Sequence, residues 1–324
     1  MLASQAIFTA EMRTALALRW LSRAWAHYRE DRAIAVGEAL VGAECVGQRH
    51  AFLALLERAL PSPQQPLAQA IRLVRTIAIR PLAAEAVEAA AIVADSAPEL
   101  DTVLEALDDP RLPEQPLPRL LALVERFRTS RGDEDDPLAA TALTPCWAIN
   151  LAAAARGPAF RLSESPLPFP GLVARRLFRA DRDAETRRHD AAETLQAAVE
   201  ATARDIAEVP RAAEVFARAF PRQRRTSRLG LAWMLVYGLG GLTPAQLARA
   251  LGATKAGAGK LLRQLQAERL VRGSGAFAPY VCAINLPVAL ADWPGAAKQI
   301  QDVDLASEYE VPREARETRK LAGG

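Results

Sequence analysis

Lysine is nearly missing from this sequence. Of 41 basic residues in 324, only Lys255, Lys260, Lys298 and Lys320 are lysines; the other 37 are arginines. Cysteine and histidine are just as sparse, at three each. Cys45, Cys146 and Cys282 stand roughly a hundred residues apart. An odd count with no close pair argues against a disulfide framework or a zinc ribbon and fits a reducing cytoplasm. His27, His50 and His189 show no His-Glu-x-x-His spacing, so no metal site and no cofactor is expected. Long hydrophobic runs are missing too. The uncharged stretches 137–155, 229–248 and 273–291 each contain proline, and their apolar content is largely alanine, which partitions weakly into lipid. Residues 1–10 put no positive charge ahead of an apolar run. Neither a membrane span nor a secretory signal is expected.

Half of the residues are hydrophobic and 24% are charged, enough to build a sizeable core and too apolar for wholesale disorder. Alanine and arginine usage suits a GC-rich bacterial genome. The length allows two or three domains. Helical apolar spacing runs through 10–29, 33–60, 66–79, 82–95 and 98–107, with proline clusters near 61–66 and 110–118 as breaks. Gly37, Gly42 and Gly47 recur every five residues, which mismatches the helical repeat and marks a bend or a broken helix. The expected fold is therefore mainly all-α. Its parts are an N-terminal helical domain (1–130), an acidic linker (131–137), a central helical region (138–221), a small C-terminal domain (222–290) and a charged, poorly ordered tail (291–324).

The net charge of +3 hides a segregation. Between Arg222 and Arg272 there are ten basic residues and one acid, Glu268. That segment carries +9, so the rest of the chain carries −6. A short cationic piece on a mildly acidic body is expected of a domain that touches a polyanion.

The same segment carries dense helix signals. Thr243 stands as an N-cap with Pro244 at the first helical position and Gln246 completing a capping box. Gly252 stands where a left-handed C-terminal cap belongs, and Thr254 is a second N-cap two residues later. A short helix over 244–251, a tight turn and a basic helix over 255–269 make a helix-turn-helix arrangement. Thr254, Lys255, Ala256, Gly257, Lys260 and Arg263 then fall on the leading and outward side of the second helix, the part that enters a major groove. Two short apolar runs around Gly273-Ser274-Gly275 read as a β-hairpin, the wing, with Arg269 and Arg272 flanking its base.

These residues resemble the winged helix-turn-helix superfamily over about sixty positions. The run Arg224-Arg225-Thr226-Ser227-Arg228-Leu229 followed by the motif is also similar to the C-terminal domain of an uncharacterised rhizobial plasmid-borne protein family. The resemblance implies double-stranded DNA as partner. The expected contact set is Arg224, Arg225, Arg228, Thr254, Lys255, Ala256, Gly257, Lys260, Arg263, Arg272 and Ser274. The role expected is transcriptional regulation or plasmid maintenance in the nucleoid-associated cytoplasm. Paired half-sites call for a homodimer, and the N-terminal helices offer surface for that or for a protein partner. The alternative is a scaffold whose winged helix docks protein in a replication or chromosome-segregation complex.

No catalytic residue is expected. Asp181, Asp183, Glu185 and His189 cluster in sequence, but Arg179, Arg182, Arg187 and Arg188 interleave with them, which reads as an exposed salt-bridged helix rather than acid/base machinery. Gly238 to Gly241 follows a helix and lacks a trailing Lys-Ser/Thr, so it is a turn and not a phosphate loop. Cys146, beside Trp147 in an uncharged stretch, reads as a buried inert thiol. Trp20, Trp25 and Tyr28, at helical spacing, read as core.

Overall fold

A computed structural model describes residues 8–34, 39–63, 65–128, 144–179, 181–222, 227–273 and 278–283. All of these belong to the first of two units in the chain, Met1–Leu286. The expected linker (131–137) and tail (291–324) lie outside the described residues, as does the start of the central region.

Ten helices are described. They are α1 (Ala10–Asp31), α2 (Val46–Ala59), α3 (Pro66–Ile77), α4 (Ala83–Leu107), α5 (Pro116–Phe127), α6 (Cys146–Ala155), α7 (Ala184–Ala219), α8 (Leu229–Leu239), α9 (Pro244–Leu251) and α10 (Lys255–Ala267). Two single-turn 3-10 segments, Gly157–Phe160 and Arg175–Phe178, sit between α6 and α7. Three short strands, β1 (Gly241–Leu242), β2 (Val271–Arg272) and β3 (Tyr280–Cys282), form one antiparallel sheet in the order β1-β3-β2. The molecule is thus mainly α-helical with a small sheet near its carboxyl end.

The centre is built from α1 and α6. Thr9 opens α1 by accepting a hydrogen bond from the Met12 N–H, and Trp20, Trp25 and Tyr28 point from it into the core. Tyr28 meets Phe52 of α2 at 5.2 Å between ring centroids and Trp147 of α6 edge-on at 5.9 Å, the offset geometries that aromatic quadrupoles favour. All ten residues of α6 are buried, as befits a helix without a charge. Around this pair pack α3, α7 and α8. A single hydrophobic cluster runs from Ala15 to Tyr280, so the helices of the C-terminal segment share the core of the N-terminal ones and packing crosses residue 222.

Several expected boundaries need correction. The helix anticipated over 33–60 begins only at Val46. The preceding turn is held by the wholly buried Arg49, whose Nη1 donates to the Gly42 carbonyl at 2.8 Å, and Cys45 adopts a left-handed conformation there. The two helices expected over 82–95 and 98–107 are one, because Pro98 is absorbed inside α4. Proline removes one N–H and so strands the carbonyl four residues back. That carbonyl belongs to Ala94, which is exposed, so the lost bond falls where the helix faces solvent. In the central region the long helix starts only at Ala184, after the 3-10 turn at Arg175–Phe178, and then continues unbroken through Pro210.

The crossing of α1 and α8 is close. A Cβ added at Gly238 would lie 3.0 Å from the Ala15 carbonyl oxygen and 3.0 Å from the Leu18 Cβ. Backbone cannot swing aside as a flexible side chain can. Gly238→Ala is therefore expected to destabilise the fold by roughly 1–3 kcal/mol, read as a lower urea midpoint at unchanged slope.

Candidate nucleic-acid interface

The sequence from α8 to β3 is laid out as helix, strand, helix, helix, strand, strand. Its local signals act as their chemistry dictates. The Thr243 hydroxyl accepts from the Gln246 N–H at 3.2 Å while the Gln246 side chain accepts from the Thr243 N–H at 2.8 Å, closing the capping box. Gly252 ends α9 at φ +56°, where only glycine avoids a Cβ clash at little cost. Thr254 then caps α10, accepting from the Gly257 N–H at 3.1 Å.

Long-range contacts decide which of the two helices faces the body. From α9, Arg249 Nε donates to the Ile77 carbonyl of α3 at 2.9 Å, and Gln246 Nε2 donates to the Val41 carbonyl at 2.6 Å. These bonds dock α9 on the N-terminal helices, so α10 stands on the outside. Ala258, Leu262 and Leu265 of α10 are buried with no more than 0% exposure. At 100° per residue, Ala256, Lys260, Arg263 and Ala267 fall within an arc of about 60° on the opposite side, and all four are exposed. Lys255 is exposed at the first turn. The 13 residues of α10 span about 20 Å, the axial length of about six base pairs.

Of the expected contact residues, Thr254, Lys255, Ala256, Lys260 and Arg263 come together on this surface, with Gly257 partly covered beside its cap. Arg228 is exposed and donates Nη1 to the Leu251 carbonyl at 2.9 Å, which brings it to the turn that leads into α10. Arg272 is exposed on β2 at the other end of the helix. There the Gln266 amide donates to the Gly273 carbonyl at 2.7 Å and ties α10 to the sheet. Arg224, Arg225 and Ser274 lie outside the described residues. The sheet is larger than the expected hairpin: β1, immediately after α8, pairs with β3 in the register Gly241↔Val281 and Leu242↔Tyr280. A two-residue strand is too short for periodicity to announce it.

Electrostatics set this surface apart. Every salt bridge among the described residues joins partners between Arg19 and Glu208. Among the described residues, no carboxylate lies within salt-bridge distance of Lys260, Arg263, Arg269 or Arg272, all of them exposed. Several arginines of the body, by contrast, are held in pairs, such as Arg58 on Asp101, donating from Nε at 2.8 Å and from Nη2 at 2.6 Å.

Gly259, on the flank of α10, has room. A Cβ there would meet only Arg263 Nη1, at 3.7 Å. Gly259→Ala should raise stability by about 0.5–1 kcal/mol by removing the entropic cost of helical glycine. A higher thermal midpoint reports it; a drop would mean that α10 packs more tightly than its geometry allows.

The remaining chemical candidates sit elsewhere. Asp181 pairs with Arg179 at 2.6 Å and Asp183 accepts from the Thr186 N–H at 2.7 Å to cap α7. The Cys146 thiol lies 3.4 Å from Asp31 Oδ1. Burial, with that carboxylate adding to it, pushes the thiol far above its ordinary range, so no thiolate forms there. Among the described residues no three His, Cys, Asp or Glu side chains group as a metal site, and no helix is long and apolar enough to cross a membrane. Comparison with family models, curated proteins and solved structures finds no match to this chain.

Proposed function

We propose that residues 229–283 are a winged helix-turn-helix module that binds double-stranded DNA, with α10 entering the major groove and the β2–β3 hairpin acting as wing. The order of elements supports this reading, since α8, β1, α9, α10, β2 and β3 follow one another as the parts of a winged helix do. The observation that carries it is the row of exposed cations Lys260, Arg263, Arg269 and Arg272 on and beside α10, none of them in a salt bridge among the described residues. An exposed cluster of one sign attracts a partner of the opposite sign.

Lys260 and Arg263 on the outward arc and Lys255 at the first turn reach phosphates or guanine acceptors. The Thr254 oxygen is committed to its cap, which leaves its O–H free to donate to a phosphate at the helix N-terminus. Arg269 and Arg272 grip the backbone beside the wing. The body supplies rigid mounting through Arg249 and Gln246, and its outer helices supply the dimer contacts that paired half-sites require. The biological role proposed is transcriptional regulation or plasmid maintenance.

Selection of bound fragments from a pool of random duplexes at moderate salt tests this proposal. Enrichment of a motif, repeated at about one helical turn if the protein dimerises, is the expected result. No enrichment, together with a protein that co-purifies through the same surface, would instead mark the module as a protein-docking scaffold.

A further inference from the structure

A second charged site lies away from α10. Between α1, α7 and α8 there is a cavity of about 390 Å³, a size typical of small-molecule pockets. Arg19, Ser22, Arg23, Arg204 and Asp205 line it, and Tyr237, Leu239 and Ala201 contribute apolar surface.

The charges in the wall do not cancel. The Asp205 side chain, 3% exposed, accepts from Arg19 Nε at 2.8 Å and also from Arg23 Nη2. Glu208 accepts from Arg19 Nη2 at 2.7 Å and from the Tyr237 hydroxyl at 3.3 Å. Two carboxylates thus face three guanidiniums. Arg204 forms no salt bridge among the described residues, and it is exposed at the rim. Burial holds the Arg23 pKa below its ordinary value, and the neighbouring Arg19 and Arg204 act in the same direction against Asp205.

We propose that this cavity binds a small organic carboxylate. One surplus positive charge matches a monoanion. The planar guanidinium fork of Arg204 at the rim matches the two oxygens of a carboxylate, and the apolar surface of Tyr237, Leu239 and Ala201 accommodates a short hydrocarbon or aromatic body. The floor of the cavity is the Gly238–Gly240 joint, where the Gly240 carbonyl accepts from the Cys282 N–H at 3.1 Å, so the occupant would rest against the joint that carries the sheet. The inference does not depend on what α10 binds.

Calorimetric titration of the full chain with sodium benzoate, sodium butyrate and inorganic phosphate at low ionic strength tests it. Saturable binding of at least one carboxylate at one site per chain is expected, with phosphate weaker. Arg204→Gln removes a rim charge that the fold does not use and should weaken that binding about tenfold, the worth of one charge-assisted contact. Absence of saturable carboxylate binding, tighter binding of phosphate, or binding indifferent to Arg204→Gln would each overturn the proposal.

Discussion

Asp205→Ala is expected to cost about 3–5 kcal/mol of folding stability. Asp205 is the acid on which two helices converge: from α7 it receives both Arg19 and Arg23 of α1. Its carboxylate is almost wholly covered, and the two arginine side chains are only 25% and 19% exposed. Their desolvation is tolerable while the carboxylate is present. Remove it and two guanidiniums stay largely covered beside each other, with only Glu208, on Arg19, left as counter-charge. The loss is therefore the cost of uncompensated charge rather than the modest net worth of the intact network. Asp205→Asn keeps the size and some hydrogen bonding, so it should fall between the wild type and Asp205→Ala. Denaturant titration of the three proteins checks the order. A double change of Arg19 and Arg23 to methionine, made together with Glu208→Gln on top of Asp205→Ala, should recover most of the stability, because no covered charge of the network is then left unpaired.

The second large effect concerns binding. Replacing Lys255, Lys260 and Arg263 together with alanine should weaken DNA binding by several hundred-fold at about 0.1 M salt. Each phosphate neutralised on a duplex contributes a factor of about ten to the power 0.9 per tenfold dilution of salt below 1 M, and three such contacts multiply. The fold should be unaffected. All three side chains are exposed, Lys260 and Arg263 take part in no salt bridge among the described residues, and alanine is the strongest helix former. A circular dichroism spectrum and thermal midpoint like those of the wild type must accompany the loss, so that a binding defect is separated from a folding one.

What the sequence reveals depends on how far each interaction reaches. Features closed within a few residues are legible. The capping box of Thr243 and Gln246, the left-handed Gly252 and the cap at Thr254 each couple residues two to four apart, so the chain near 243–254 announces its own helix ends. The apolar spacing of Trp20, Trp25 and Tyr28 likewise gives a core face, and the uncharged surroundings of Cys146 give its burial. Features closed by distant residues are not legible. Nothing near Arg249 says that its guanidinium will meet the Ile77 carbonyl, and nothing near Gln246 points to Val41. Yet those two bonds determine that α9 faces inward and α10 outward. For the same reason Arg249 looks like one more member of a basic surface, although the fold spends it on the body. Asp205 is one acid among 38 in the sequence, and only the packing of α7 on α1 singles it out. The break before Val46 and the continuity of α4 through Pro98 also rest on tertiary context, the first on buried Arg49 and the second on the solvent beside Ala94.

The most direct test of the account is the dependence of duplex affinity on salt, measured with a single labelled DNA fragment. Lys255, Lys260, Arg263, Arg269 and Arg272 are exposed on and around α10, and five neutralised phosphates give a slope of log affinity on log salt of about −4.5. That slope should shrink by about one in Lys260→Ala. An affinity that does not change with salt, or a slope untouched by Lys260→Ala, would contradict the claim that this helix face meets a nucleic-acid backbone.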